Sequence, residues 1–486
     1  MKGGVSMKKF KVGLIGTSQL SFPGDKEGQF GRSVEELKEL SKRLGFDLYV
    51  YNDTVIGGKD AEKAVKAVEE NNVDFLLVQC TSFSGGFIAP VLAKVKNAYL
   101  GLWAVPEGAQ EGAVPLNSFC SVNMYASIIG HYLKEYNIPF KWFYGNVGHE
   151  LFDRRFEITV RTLTAIKNIR NSSVALIGGV APGFNDLYFD ERSILKRFDG
   201  LKICRLHEFS EIKDRALSYK TRDVAMIMEE MVGESNGVHP KAQPLLETNA
   251  RVYRAYKDFL AEYGYDGLAI SCWPKFQQDF RYSVCSVVAK LNDDGIVAAC
   301  EGDLPSAVSM LILKYLSGDE TMLMDFSDFD EEDETILMWH CGPASRHYAG
   351  ERGFTLGVNY HGLPHEKGKD LNCCGIVRDM VFMPGHVTVA RITGECDKFF
   401  LAEGDFIDYE KKSFFGSRGW MGKLKINRED ISVRDFVNTV LVQRFQHHYP
   451  IVKGDHAQEL MEIAAWLRMG FVGKVAYQNY MQNSEV

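Results

Sequence analysis

The sequence predicts an α/β protein in which two doubly wound parallel-sheet domains precede a β-rich C-terminal domain of antiparallel, barrel-like character. Three observations predict it. At 486 residues the chain has room for about three domains of roughly 100 to 200 residues each. Strands of unbroken Val, Leu, Ile and Phe alternate with amphipathic helices twice over, the pattern of a parallel sheet covered on both faces. After about residue 335 the texture changes to short β-rich segments bounded by Gly, Pro, Asp or Asn at close spacing.

The first domain is expected over 1–150, with strands at 11–16, 47–51, 73–80 and 98–104 and helices at 33–44, 61–70 and 121–135. The second, 151–320, opens with a helical pattern at 152–169 and carries strands at 173–177, 202–206, 267–271 and 296–300. Its helix at 240–263 repeats Leu245, Leu246, Val252, Tyr253, Tyr256 and Leu260 at helical spacing. Neither domain has a Gly-x-Gly-x-x-Gly turn or a Gly-Lys-Ser/Thr loop. Gly178, Gly179 and Gly183 make only a Gly-rich turn, so nucleotide binding is not supported. The third domain, 321–486, holds strands at 377–383, 386–392, 398–402 and 422–426 and two helices, at 432–446 and 457–469.

Composition narrows the function classes. A net charge of −8 without a basic run argues against a large nucleic-acid-binding face. No apolar stretch is long enough to span a bilayer, since the run at 308–313 is broken by Lys314. The start, MKGGVSMKKF, passes straight into a strand-like VGLIG rather than a signal-peptide core, which predicts a cytoplasmic protein. Ten cysteines without a Cys-x-x-Cys pair then read as buried thiols, the adjacent Cys373 and Cys374 included.

Chemistry concentrates in CEGDLPSAVSMLILKYLSGDETMLMD. A strand ends at Glu301, a helix follows from about Leu304, and the next strand ends at Asp325, 24 positions on. In a right-handed strand–helix–strand unit both carboxylates emerge at the C-terminal edge of one parallel sheet. Two carboxylates brought together repel, so one holds a proton or both face a cation. A third ligand is offered by HHYPIVKGDH, where His447, His448 and His456 are expected in a loop before the last helix. One imidazole with two carboxylates suits Mn²⁺ or Mg²⁺, with Co²⁺ an alternative, over a thiolate-type zinc site. Asp303 is placed to cap the helix at Leu304 or to support the site from a second layer.

The segment from Cys300 through Asp325 resembles the metal-binding segment of the L-fucose isomerases, with L-arabinose isomerases as further relatives. The chain's end, HHYPIVKGDHAQELMEIAAWLRM, is similar to that family's histidine loop and helix, with His448 on the ligand position and Gly454, Leu460, Ala464, Leu467 and Arg468 in register. The stretch between Asp325 and His448 is shorter than in that family. The resemblance implies an aldose–ketose isomerase in which Glu301, Asp325 and His448 bind the metal, and Glu301 and Asp325 shuttle a proton through an enediol. It also implies a trimer or hexamer and a monosaccharide substrate. L-fucose leads, with L-arabinose, D-arabinose and sulfoquinovose as alternatives. A non-catalytic sugar-binding protein is the alternative of a different class, because paired α/β domains also build sugar receptors. Candidate sugar contacts are Trp420 in the Gly-rich GSRGWMG, read as a loop, and Trp273, Gln277 and Gln278 after the strand LAISCW. His340, ending ETILMWH, reads as a core or turn histidine.

Overall fold

Apolar runs flanked by helices form parallel strands wherever the sequence places them. The structure, a computed structural model, describes residues 8–108, 111–280, 282–359, 375–407 and 410–483; Cys373 and Cys374 lie outside them. The chain divides into a unit of residues 7–167 and a second that takes in residues 168–486.

The first unit alternates β1 (Lys11–Thr17), α1 (Lys26–Leu44), β2 (Asp47–Val50), α2 (Gly58–Glu70), β3 (Phe75–Cys80), α3 (Ala89–Leu92), β4 (Tyr99–Ala104), α4 (Ser118–Ser127) and β5 (Phe140–Tyr144). Helix α5 (Glu150–Arg170) follows. The strands form one parallel sheet of order β2-β1-β3-β4-β5. Every residue of β3 is buried, as a strand covered on both faces requires.

The second unit opens with another parallel sheet. It runs through β6 (Ser173–Ile177), α6 (Glu191–Arg197), β7 (Lys202–Cys204), α7 (Phe209–Ser218), α8 (Thr221–Gly233), α9 (Leu246–Tyr263), β8 (Gly267–Ile270), α10 (Lys275–Phe280), α11 (Cys285–Asp293), β9 (Val297–Ala299) and α12 (Leu304–Ser317), with strand order β7-β6-β8-β9. Then come β10 (Met322–Asp330), β11 (Thr335–His340), β12 (Thr355–Val358), β13 (Ile376–Val381), β14 (Gly385–Ile392), β15 (Lys398–Phe406), β16 (Ser417–Ile426), β17 (Glu429–Asp430), α13 (Val433–Val442), β18 (His448–Lys453), α14 (Ala457–Leu467) and β19 (Gly470–Phe471). Strands β16-β11-β10-β18-β14-β15 are antiparallel neighbours, and β15 pairs back onto β16, closing a barrel. The architecture is therefore the predicted one: two parallel-sheet α/β layers and a C-terminal antiparallel barrel.

Helix α12 joins the last two. Its residues from Leu304 to Leu313 are all buried, and it packs on β8 and β9 on one side and on β14 and β18 on the other. A helix apolar all round belongs between two layers. Its start is fixed by Asp303, whose side chain accepts the Ser306 N–H at 3.0 Å, with Pro305 in the first turn.

Three local expectations are corrected. Asp325 does not lie at the edge of the parallel sheet that ends at Glu301. Strand β10 joins the barrel, pairing antiparallel with β11 and β18, because its partners come from later hairpins rather than from β9. His448 is the first residue of strand β18, not part of a loop, and sits directly opposite Asp325. Trp420 is likewise in a strand, β16, opposite Leu337; glycines 416, 419 and 422 around it admit close neighbours rather than forming a loop.

Candidate active site

Glu301 follows β9 in the left-handed backbone region, with φ of 61°, where a residue with a Cβ is costly. The turn is held by its neighbours: the Ala181 N–H donates to the Glu301 carbonyl and the Gly302 N–H to the Ile270 carbonyl, both at 2.9 Å. A Cβ on Gly302 would meet the Gly179 carbonyl oxygen at 2.2 Å, so the Gly-rich turn after β6 and the Glu-Gly pair are fitted to one another. This turn aims the Glu301 side chain at the barrel, where Asp325 and His448 stand side by side on β10 and β18.

The groups converge closely. His448 Nε2 lies 3.4 Å from Glu301 Oε2 and 3.7 Å from Asp325 Oδ1. His448 Nδ1 lies 2.9 Å from Asp303 Oδ2. A carboxylate only accepts, so Nδ1 carries a hydrogen, and in the neutral ring Nε2 turns a lone pair toward the two acids. Neither His448 Nε2 nor Asp325 Oδ1 has a hydrogen-bond partner among the described residues, though both are buried. Lone pairs facing each other out of water, unpartnered, are the arrangement a cation relieves. Asp325, His447 and His448 offer ligand atoms within 4.8 Å of one another, as do Glu301, His340 and His448.

Charges follow from these contacts. Burial pushes the Asp325 carboxyl up to about 6, against the pull of His448 and with help from the nearby Glu301. For Glu301 burial acts in the same upward direction, but the bond from His447 and the neighbouring His448 and His340 outweigh it, and its pKa falls below the ordinary glutamate value. Burial likewise opposes ionisation of Asp303, yet Arg391 and His448 hold it well below the usual carboxylate range. His340 is pushed down to about 4 by burial and is neutral near pH 7.

His447 was offered by the sequence only as one of three loop histidines, and His340 was read as a core or turn histidine; both belong here. Burial disfavours charge on His447, but bonds to Glu301 and Asp186 raise it to about 9. Its Nε2 stands 3.2 Å from Glu301 Oε2 and its Nδ1 2.6 Å from Asp186 Oδ2, so a charged ring donates to both. His340 accepts the Cys341 N–H at Nδ1, which leaves a hydrogen on Nε2; that atom is buried without a partner among the described residues. Its ring stacks against His448 at 5.7 Å between centroids. The adjacent histidine pair was the only sequence signal for His447, and nothing local announced Asp186.

The other expected residues make no hydrogen bond, ion pair or ring contact with this cluster among the described residues. Trp420 is buried, its Nε1–H donates to the Lys412 carbonyl at 3.0 Å, and Lys411 Nζ sits over its ring at 3.9 Å. Trp273 precedes a cis bond to Pro274. Gln277 is buried on α10 with Oε1 unpartnered among the described residues, while Gln278 is exposed. His456 bonds to the Lys453 carbonyl.

No family model matches the chain. It is similar to proteins named sulfoquinovose isomerase: 24% identity with one from Priestia aryabhattai, over 83% of this chain and 86% of the relative. A second, from Alkalicoccus urumqiensis, is 25% identical over 80% of this chain and 84% of its own. A third, from Clostridium sp. (strain MSTE9), is 24% identical over 84% and 89%. The chain is an isomerase. The expectation of a non-catalytic binding protein is dropped. Among solved structures, a glucose-galactose binding protein from Geobacillus stearothermophilus aligns with 64% of this chain and 93% of its own at 12% identity and a TM-score of 0.17, too slight a likeness to bear on fold. No helix among the described residues is long and apolar enough to cross a membrane.

Proposed function

We propose that this isomerase interconverts an aldose and its 2-ketose with a divalent metal, and that sulfoquinovose is its aldose. The observation that carries the metal is the convergence of Glu301, Asp325 and the bare Nε2 of His448, two of whose facing atoms are buried without partners among the described residues. Two carboxylates and one neutral imidazole favour Mn²⁺, with Mg²⁺ or Co²⁺ as substitutes. A divalent ion there supplies the positive charge that makes a sugar's C2 proton acidic and its enediol stable.

The chain's own residues do the rest. His447, charged and braced by Asp186, keeps Glu301 ionised and fixes the direction of its carboxylate. Glu301 is thus a base ready to take the proton from C2 and return it to C1, with Asp325 as its partner at the oxygens. His340 offers its unpartnered Nε2–H to a substrate hydroxyl or carbonyl.

Sulfoquinovose is favoured over L-fucose, the leading expectation from the motif, because the similar proteins carrying that name match more than four fifths of the chain. A cytoplasmic location and, from the fucose isomerase resemblance, a trimeric or hexameric assembly complete the proposal. The test is a panel of sulfoquinovose, L-fucose, L-arabinose and D-arabinose assayed with Mn²⁺ and after chelation. Sulfoquinovose is expected to turn over fastest and only with metal; preferential turnover of another aldose would reassign the substrate, and turnover of none would remove the activity.

A further inference from the structure

Asp303 does more than cap α12. Its Oδ2 receives three donors: the Ser306 hydroxyl at 2.6 Å, His448 Nδ1 at 2.9 Å, and the Nη1 of Arg391 from β14. Arg391 and Asp303 are both fully buried, and the Arg391 Nη1 also touches the Ser306 hydroxyl. The strand that carries the arginine is pinned to the same helix, since the Ile392 N–H donates to Ser309 Oγ at 3.0 Å. Arginine, carboxylate and imidazole therefore form a dry chain that ends at the ring whose other nitrogen faces Glu301 and Asp325.

The arginine is an expensive way to fill that space. Its Nε and Nη2 are buried with no hydrogen-bond partner among the described residues, and Asp303 is its sole carboxylate partner among them. A buried ion pair contributes little net stability compared with apolar residues of similar volume. A lone buried carboxylate, by contrast, needs a cation beside it, and helix capping alone is served equally well by a neutral Ser or Asn. What the charge supplies is direction. It fixes the plane of the Asp303 carboxylate, which in turn fixes the orientation and tautomer of His448.

We propose that Arg391 is a positioning residue for metal binding: acting through Asp303, it holds the His448 ring so that Nε2 is bare and aimed between Glu301 and Asp325. The proposal rests on the metal reading above.

Mn²⁺ titration of the full-length, chelator-stripped protein, followed by electron paramagnetic resonance, tests it alongside thermal unfolding without metal. Arg391→Met is expected to weaken Mn²⁺ binding of the folded protein about 10- to 100-fold and, because it leaves the Asp303 carboxylate buried without its cation, to lower the metal-free unfolding midpoint as well. Arg391→Lys, which keeps the charge, is expected to fold and to bind with intermediate affinity. Selective ¹⁵N labelling of histidine adds a signature: His448 shows one tautomer in the parent and a mixture in Arg391→Met. Parent-like Mn²⁺ affinity in both variants would overturn the proposal and leave the metal reading intact. If Arg391→Met does not fold, parent-like affinity in Arg391→Lys with a mixed tautomer overturns it, and weakened affinity supports it. A parent protein that takes up no Mn²⁺ would remove the metal reading itself.

Discussion

Two sheet edges in this chain handle buried polar atoms in opposite ways. At the end of β1 and β3, in residues 7–167, hydroxyls satisfy one another: Ser84 Oγ lies 2.9 Å from Thr17 Oγ1, 3.0 Å from Ser121 Oγ and 2.7 Å from the Tyr125 hydroxyl. Ser118 Oγ accepts the Val105 N–H at 2.9 Å and donates to the Cys80 carbonyl. Gln79 Oε1 is the exception in that neighbourhood. Beyond β9, by contrast, His448 Nε2, His340 Nε2 and Asp325 Oδ1 are buried and left without partners among the described residues. A completed network rigidifies a fold; an incomplete one keeps its capacity for a ligand. One parallel-sheet edge is thus closed by its own hydroxyls, while the turn after β9 meets barrel strands β10, β11 and β18 whose polar atoms are left open.

The largest effects should come from the incomplete edge. Glu301→Gln or Asp325→Asn is expected to lower turnover by about 10³-fold or more, with circular dichroism and melting retained because each change relieves repulsion; steady-state kinetics on the folded variants checks it. A fully active double variant would erase the contrast between the edges. Proton competition comes next. Asp325, pushed up to about 6, must be ionised to bind a cation, so Mn²⁺ affinity is expected to fall as pH drops below about 6 and to level off above it. Calorimetric titration across pH 5 to 8, roughly the span of that transition, measures this.

Smaller changes sharpen the comparison further. His340→Phe removes the Nε2 donor and also the acceptor of the Cys341 N–H, and is expected to lower kcat/KM about 10- to 100-fold at a cost of about 1 kcal/mol in stability. Ser84→Ala, at the completed edge, should do the reverse: a loss of about 1–3 kcal/mol in urea unfolding with kcat unchanged.

These assignments also mark how far the sequence could be read. Unbroken apolar runs made β9 and α12 visible, and with them Glu301 and the cap at Asp303. Asp325 was expected at the end of its strand and in the parallel sheet, whereas β10 runs on to Asp330 and belongs to the barrel. The strand after a strand–helix unit ordinarily returns to the same sheet, and nothing in a single strand's pattern names β18 as its neighbour. His448 was reached through the register of a remote segment, while Arg391 behind its partner Asp303 and Asp186 behind His447 were not. The His447–Asp186 bond joins residues 261 positions apart and Arg391–Asp303 residues 88 apart, and pairings of that span leave no local period to detect. Trp420 was misread because glycines that admit neighbours in a strand look the same as glycines that turn a loop.

The central claim is that the unpartnered atoms around His448 exist to hold a metal for aldose–ketose isomerisation. Its most direct test follows sulfoquinovose in D₂O by NMR with the stripped protein, then after Mn²⁺ is restored to the same sample. The account predicts no conversion in the stripped state, and on reloading the appearance of the 2-ketose with deuterium incorporated at the carbons that exchange the proton. Conversion at an undiminished rate in the stripped protein would contradict it.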